Sequence, residues 1–457
     1  MTQEELLTIL SATPDTVVQD MQVSDLSLPL WKDLQKEYFP MQHEIMTNLI
    51  KYPQRLENGQ DRFQRTPLGL QKLAVNRLAQ SMFATPVKFK WIYDNEDENQ
   101  KLAVDVLNHL YTVDNYINGE NIERAKAVNA CCQCATIWRV VPVENYIVKG
   151  LQTKYRLKHK TYSEMEGYKL YPRFTEDGDL LALSISYKGL DKKERFDIYT
   201  SKTVLRYVKQ DKWLELSREN ISFMPLVYMW INEPVWGGQE GTKLVEQLEE
   251  MESFQGNYIA KNSIPTFYVD WGETQGRTKI SKSETSTDSR HIITVGKDGK
   301  VQDVTWQGAT ESVSQRYARI RNAFFEQVQI PDISFATLIN SRTSAENKEL
   351  LFSDVKQKAK DLGTEWETLL TEEIEIVKQF AKVLFPSLTT SIDLITCTCE
   401  VVPYSIKTKK ETAEYISLAG DNMSLQTKVS LLDEVEDIDA EVERIESGNS
   451  AAANQGF

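Results

Sequence analysis

Two amphipathic rods of similar length bracket a short β-rich stretch in the second half of this 457-residue sequence. From Thr242 onward, Leu244, Leu248, Met251 and Tyr258 fall on one helical stripe until Pro265 stops it. In the second rod, Ala309 to Val328, the residues Val313, Tyr317, Ile320, Phe324 and Val328 recur at spacings of three and four, and the rod ends before Pro331. About 20 residues at 1.5 Å each make a rod of roughly 30 Å. Between the rods lie a strand-like run, Phe267 to Trp271, and a hairpin, HIITV-GKDG-KVQDV, from His291 to Val304, whose turn is signalled by Asp298-Gly299. The loop Gly272 to Arg290 that separates them is rich in Ser, Thr, Lys and Arg. The apolar stripes of the two rods are opposed, and one chain cannot bury both. The pattern therefore predicts a heterologous interface between copies that closes into a ring.

The rods sit in a longer order of elements. Residues 1 to about 125 read as one helical subdomain: Leu68 to Phe83 is periodic at three and four, with Thr66 as N-cap and Pro67 in the first turn, and Leu102 to Leu110 is a second helix. A third, Ile122 to Ala135, follows a turn at Asn118 and Gly119. From about 136 to 230 the period changes to two, which predicts an antiparallel meander. Beyond the second rod, Pro331 to Thr343 is an irregular insert. Ser344 then caps a helix whose stripe (Leu351, Val355, Ala359, Leu362, Trp366, Leu369) runs toward Phe385, with Gly363 as its bend point. Strand-like LITCTCEVVPY and two helices, Lys409 to Leu418 and Ser424 to Glu446, complete the chain. The stretch Asp433 to Glu446 holds eight acids against Arg444, and the residues after it read as a disordered tail. The fold class expected is α+β, mainly helical.

Charge and composition exclude several function classes. Lys plus Arg number 53 and Asp plus Glu 67, a net charge of −14, which is the wrong sign for a protein that coats nucleic acid over its whole surface. The most apolar stretch, Ile221 to Ile231, is about half of the roughly 20 residues that a spanning helix needs, and the N-terminus carries acids where a secretory signal needs Lys or Arg. No membrane association is expected. Five cysteines, an odd number in a long chain, argue against a disulfide framework and for a reducing compartment.

Candidate chemistry is sparse. Cys131-x-x-Cys134 has zinc or dithiol spacing, and Cys397-x-Cys399 could complete a four-thiolate site, yet the trio Cys131, Cys132 and Cys134 reads as part of an apolar helical run, so small buried hydrophobes are the better reading. The four histidines (His43, His109, His159, His291) are widely separated and form no HExxH pair. Gly237, Gly238 and Gly241 before Thr242-Lys243 fail the phosphate-loop spacing and read as a turn at a helix start. Asp393, Asp433, Asp437 and Asp439 read as solvated carboxylates. No catalytic residue, cofactor or metal is expected. One basic feature opposes the acidic background: Arg316, Arg319 and Arg321, with Arg342 past the loop; Arg316 and Arg319 share a face opposite part of the apolar stripe.

This order of elements, with its local sequences, resembles the portal proteins of tailed bacteriophages, in the siphophage-like branch. Four stretches carry the resemblance. TPLGLQKLAVNRLAQSMFATPVKF (Thr66 to Phe89) resembles that family's helix with a G-K-P exit, here with Ala84-Thr85 in place of glycine and lysine. PLVYMWINEP and the helix through Asn262 resemble the approach to the first stem helix. ISFATLINSRTSAENKELLFSDVKQKA (Ile333 to Ala359) is similar to the tunnel loop and long wing helix, with Thr343-Ser344-Ala345 replacing a Ser-Gly step. MSLQTKVSLLDEVEDIDAEVERIE (Met423 to Glu446) is similar to the terminal S-x-x-T step and acidic helix.

The resemblance implies a portal-type fold assembled as a ring, usually of twelve copies, at one capsid vertex of the virion after assembly in the host cytoplasm. Residues 1–241 and 344–402 would form the wing, 242–263 and 308–328 the stem, 264–307 the clip, 329–343 the tunnel loop, 403–446 the crown and 447–457 the disordered tail. DNA would enter through the ring, be retained and later be ejected. The implied partners are the terminase large subunit, a head-completion or adaptor protein, the major capsid and scaffold proteins, and double-stranded DNA in transient contact. An acidic wall suits a conduit, since it repels phosphates over roughly 10 Å at 0.1 M salt. The implied sites are Ile333, Phe335, Leu338, Asn340 and Arg342 in the tunnel loop, Arg316 and Arg319 on the tunnel-facing stem, and Arg277, Lys279, Lys282 and Arg290 on the clip for partner binding. A non-portal assembly or scaffold protein and a metal-dependent or dithiol enzyme stay as alternatives at this point.

Overall fold

The computed structural model describes residues 1–54, 56–57, 60–61, 63–262, 267–270, 300–303, 310–330, 332, 353–404, 409–420, 423–431, 441–442 and 444–445. Two short helices open the chain, α1 (Gln3–Leu10) and α2 (Pro14–Met21). Thr2 and Glu5 exchange side-chain and backbone hydrogen bonds in a capping box that starts α1, and Pro14 fills the first turn of α2, where its missing N–H costs nothing. Their apolar face does not join the helices that follow. Leu6, Leu10, Val17, Val18 and Met21 pack instead on Leu181, Phe196, Ile198, Leu205 and Tyr207 of a distant sheet. The single helical subdomain expected over 1–125 is thus split.

Helices α3 (Trp31–Tyr38) and α4 (Glu44–Thr47), joined by a 3₁₀ turn, lead through the two-residue strands β1 (Leu56–Glu57) and β2 (Gln60–Asp61) to α5 (Leu70–Phe83). Gly69, not Thr66, is the N-cap of α5, and the Thr66 backbone is engaged elsewhere, as shown below. Strand β3 (Lys88–Ile92) was hidden in the expected helical region, although its alternating burial is strand-like. Then come α6 (Glu98–Asn108), a π-helical turn (His109–Val113) and α7 (Ile117–Cys131). Asn118 and Gly119 lie inside the first turn of α7 rather than before it, and the reversal falls on Tyr116, which holds φ 49°. Cys132, at φ 67°, ends this helix in the left-handed region, and Cys134 lies on the next strand, so the cysteine trio spans a helix–strand junction instead of a helical run.

The period-two region forms two sheets. Strands β4 (Gln133–Val148) and β5 (Leu151–Tyr162) make a long hairpin, while β6 (Lys169–Phe174), β7 (Leu180–Lys188), β8 (Glu194–Thr200), β9 (Thr203–Lys209) and β10 (Trp213–Asn220) form the expected antiparallel meander. Strand β11 (Leu226–Trp230) returns to the free edge of β4. Helix α8 (Gly238–Asn262) starts four residues before Thr242. Strand β12 (Phe267–Asp270) pairs with β13 (Lys300–Asp303), Phe267 facing Asp303; the HIITV arm of the expected hairpin lies outside the described residues. Helix α9 (Thr310–Val328) matches its expected span. Helix α10 (Ser353–Leu384), about 48 Å at 1.5 Å per residue, is unbroken at Gly363 and stops before Pro386; its expected cap Ser344 lies outside the described residues.

After α11 (Thr389–Leu394), strand β14 (Thr396–Glu400) pairs with β3, setting Cys397 opposite Trp91 and Cys399 opposite Phe89. The helices Lys409–Ala419 and Leu425–Ser430 follow, the latter capped by the Ser424 hydroxyl. The main core joins α5, α6, α7, the β4–β5 hairpin, α10 and the C-terminal end of α9, through residues such as Leu78, Leu107, Trp138, Phe324 and Trp366. The fold mixes helices with antiparallel sheets: most strands fall between Gln133 and Trp230, while the pairs β1–β2, β12–β13 and β3–β14 lie among the helices. Among the described residues, no helix is long and apolar enough to cross a membrane.

Candidate functional site

The two rods lie side by side and run antiparallel. Gly241 near the start of α8 sits against Phe324 near the end of α9, and Phe254 to Ile259 of α8 share a groove with Ser312 and Val313 at the start of α9. The glycines make this turn possible. Gly237 and Gly238 hold φ 72° and 54°, where a side chain is strained, and a Cβ on Gly241 would stand 1.8 Å from the Trp236 carbonyl oxygen. The helix-start reading of these glycines fits.

One face of α8 carries polar residues at i, i+4 and i+8, Glu249, Ser253 and Asn257, all buried. They bind the extended segment before α5. Gln64 N–H donates to Asn257 Oδ1 (2.8 Å) and Asn257 Nδ2 donates back to the Gln64 carbonyl (2.8 Å); Thr66 N–H donates to Ser253 Oγ (2.9 Å) and Leu68 N–H to Glu249 Oε1 (2.6 Å). A segment that would otherwise leave its N–H groups unpaired is thereby held on the rod, and α5 begins only past it, after Gly69.

The opposite side of α8 is apolar and open. Phe254, Tyr258 and Ile259 are 50%, 43% and 57% exposed, and with Met251 and Val313 they line a groove of about 950 Å³ between the rods. Arg316 lies on the rim of this groove rather than opposite the stripe, and Arg319 is exposed. Arg321, grouped with them in the sequence, does different work. Its Nε and Nη2 donate to Asp332 (2.6 and 3.1 Å), and its guanidinium and that of Arg77 lie 5.4 and 5.3 Å from the Phe325 ring centroid. Arg77 also approaches Asp332 at 3.6 Å. Lys358, on α10, donates to the Val328 carbonyl at the C-terminus of α9 (2.7 Å), and burial lowers its ammonium pKa. So the chain on either side of residues 333–352 is tied to the end of α9. Ile333, Phe335, Leu338, Asn340 and Arg342, and Arg277, Lys279, Lys282 and Arg290, lie outside the described residues.

A buried ionic centre joins α7, the π-helical turn, β4 and α10. Arg124 donates from Nη1 and Nη2 to Glu373 Oε2 and Oε1 (2.8 and 2.7 Å), Tyr111 OH donates to Oε2 (2.6 Å) and Trp138 Nε1 to Oε1 (2.7 Å). Burial alone would raise the Glu373 carboxyl pKa, but the Arg124 charge and these donors hold it below the usual range. The sequence carries a signal for this pair that motif reading passes over: a carboxylate at a stripe position of α10, between Leu370 and Val377, needs a buried cation. Around it, burial pushes the Cys132 and Cys134 thiols up to about 12 and Cys131 well above its usual value, so the trio stays protonated. All five cysteines are free and buried, and among the described residues no group of three or more His, Cys, Asp or Glu is placed to hold a metal ion.

The family model for phage portal proteins of the SPP1 Gp6-like type matches residues 32–455, nearly the whole chain, and the chain belongs to that family. Its members are structural proteins of the bacteriophage virion. No curated protein matches the sequence significantly. Among solved structures, a chain from the neck of an empty gene transfer agent (GTA) particle, computed with C6 symmetry, aligns with a TM-score of 0.41 at 8% identity, covering 85% of this chain and 93% of that one. A chain from the virion of a native GTA particle aligns with a TM-score of 0.41 at 9% identity, covering 92% and 99%.

Proposed function

We propose that this portal-family chain forms a closed ring, of twelve copies by resemblance, at one capsid vertex, and that double-stranded DNA passes through its centre during packaging and ejection. The observation that carries the reading is the open apolar groove between α8 and α9. Three large apolar side chains exposed side by side on a chain of net charge −14 call for cover by protein, and in a cyclic assembly the neighbouring copy supplies it. Arg316 at the rim and the exposed Arg319 give the stem its sparse positive charge, suited to brief phosphate contact rather than tight binding.

In this assignment residues 264–307 form the clip that docks the terminase and then the head-completion protein, through Arg277, Lys279, Lys282 and Arg290. Residues 329–343 form the tunnel loop, and the major capsid and scaffold proteins are further partners. The protein carries out no catalysis. Substituting Phe254→Asp together with Ile259→Asp should yield folded protein that stays monomeric by native mass spectrometry while the wild type forms rings. Rings of unchanged stability in this variant would overturn the assignment of the groove. Charge reversal at the four clip residues should weaken terminase and connector pull-down in a salt-dependent way, and unchanged pull-down would remove the clip assignment.

A further inference from the structure

The β4–β5 hairpin is basic within an acidic protein. Between Gln133 and Tyr162 six cations, Arg139, Lys149, Lys154, Arg156, Lys158 and Lys160, stand against one acid, Glu144, a net charge of +5 in a chain of −14. Strand β11 covers β4 only as far as Ile137, so from Trp138 to Val148 the hairpin is a two-stranded ribbon, about 35 Å long at roughly 3.3 Å per residue. Its inner side is held to the core by Trp138, Val148 and Leu157. Strand alternation turns Arg139, Lys154 and Lys158 outward, and all three are exposed. The other cations are engaged inside the chain: Lys149 lies 3.9 Å from Asp105, Arg156 lies 3.5 Å from Asp114, and Lys160 donates to the Tyr168 hydroxyl beside the rings of Tyr162 and Tyr168. Arg139, Lys154 and Lys158 make no hydrogen bond or ion pair among the described residues. Arg139 faces Lys158 directly across the strands, a like-charge pair that costs the isolated chain stability.

The matching charge lies at the other edge of the same sheet, whose strand order is β11-β4-β5. Between β11 and α10 a groove of about 430 Å³ is lined by residues that include Met229, Trp230, Leu362, Glu365 and Glu372, and none of the described residues on it is Lys or Arg. Glu365 and Glu372 make no ion pair among the described residues, and the Glu372 carboxyl pKa is raised by partial burial and then by the nearby Asp179 of the β6–β7 turn. One chain thus carries unpaired cations toward the β5 edge and unpaired carboxylates at the β11 edge. Surfaces that complement each other and not themselves make a head-to-tail contact, the kind that closes a ring. Apolar groups accompany the charge on both: Ile147 and Tyr155 of the ribbon are 63% and 47% exposed, and Trp230 at the groove is 37% exposed. A duplex phosphate backbone offers nothing for those side chains to pack on, whereas a protein interface does. We propose that the outer face of the β4–β5 ribbon docks in the β11–α10 groove of the next copy, Arg139 and Lys158 pairing with Glu365 and Glu372 of that copy. The proposal rests on the ring reading and adds to it a contact that fixes the direction in which copies follow one another.

The test is native mass spectrometry of the full-length protein at low salt, where a charged contact is strongest. Two double variants are compared: Arg139→Glu/Lys158→Glu, which makes both surfaces acidic, and Glu365→Lys/Glu372→Lys, which makes both basic. Each variant alone should need at least tenfold more protein than wild type to assemble. An equal mixture should recover wild-type assembly as alternating rings, because each variant then meets the opposite charge. Rings of either variant at the wild-type concentration, or a mixture no better than its components, would overturn the docking. Wild type that stays monomeric at every concentration would refute the ring reading itself, and this contact with it. Intact rings of Arg139→Glu/Lys158→Glu with weakened duplex DNA binding would make the ribbon a nucleic-acid surface and overturn the proposal. If a variant does not fold, Arg139→Gln/Lys158→Gln, which removes the like-charge pair, should unfold no lower than wild type and still assemble more weakly. Unchanged assembly there would equally refute the contact.

Discussion

Replacing Glu373 by glutamine should remove a large part of the protein's stability. Glu373 and Arg124 are both fully buried, and the two carboxylate oxygens receive four donors, two from Arg124 and one each from Tyr111 and Trp138. In Glu373→Gln one oxygen becomes an NH₂, so whichever way the amide turns at least one Arg124 N–H faces a donor, joined by Trp138 Nε1 in one orientation, and the Arg124 charge stays buried without a counter-charge. Breaking a buried pair in this manner costs about 3–5 kcal/mol, against a typical total of about 5–15 kcal/mol. The assay is guanidinium unfolding at fixed protein concentration, followed by tryptophan fluorescence, in which Trp138 reports from the centre itself. The midpoint should fall with the slope unchanged. The double variant Arg124→Met/Glu373→Gln should be at least ~2 kcal/mol more stable than the sum of the single losses, because no unpaired cation remains. The folded carboxyl pKa lies below its unfolded value, so its contribution is present above the ordinary glutamate range and is lost as pH falls through the folded value. The two curves should therefore converge only in acid. A Glu373→Gln midpoint within about 0.5 kcal/mol of wild type, or strict additivity in the double variant, would refute this view of the centre.

Asp197 behaves in the opposite sense: burial raises its carboxyl to about 6, and its Oδ1 has no partner. Because the folded value lies above the unfolded one, ionisation costs stability as pH rises. Asp197→Asn should stabilise by about 1–3 kcal/mol at pH 7, a gain that fades below pH 6; a gain independent of pH would contradict the assignment. The five cysteines should resist a thiol reagent in the native protein and all react in denaturant, and about one zinc per chain in metal analysis would overturn their structural role. Arg321→Lys should lower the unfolding temperature nearly as much as Arg321→Met, since lysine cannot reproduce the two-point bond to Asp332 or the stack on Phe325; full rescue by lysine would show that charge alone matters. Deleting Phe335 to Ile339 should leave ring assembly intact and impair DNA retention or packaging, and mutant particles that fill and hold a full genome would exclude that role.

What was legible in the sequence follows the range of the interaction. The rods α8 and α9 were readable because an apolar stripe at three and four is a local property, and proline marks where each stops. The opening of α8 at Gly238 was missed because three glycines look like loop until Gly241 is seen packed on the Trp236 carbonyl. The docking of α1 and α2 on a sheet nearly two hundred residues away is non-local, so periodicity could give the helices and not their address. Strand β3 was overlooked for the same reason, since its partner β14 lies about three hundred residues on. Arg124, Glu373, Arg77, Asp332, His43 and Glu249 carry no motif. Their meaning comes from pairing across elements, and their only local mark is a charge on a face that should be apolar.

Electron microscopy of the purified full-length protein tests the central claim most directly. Particles should be closed rings, twelvefold in end-on views, with a central channel wide enough for a DNA duplex and the α8–α9 groove covered by the adjacent copy. Monomers at micromolar concentration, or a closed assembly with no such channel, would contradict it.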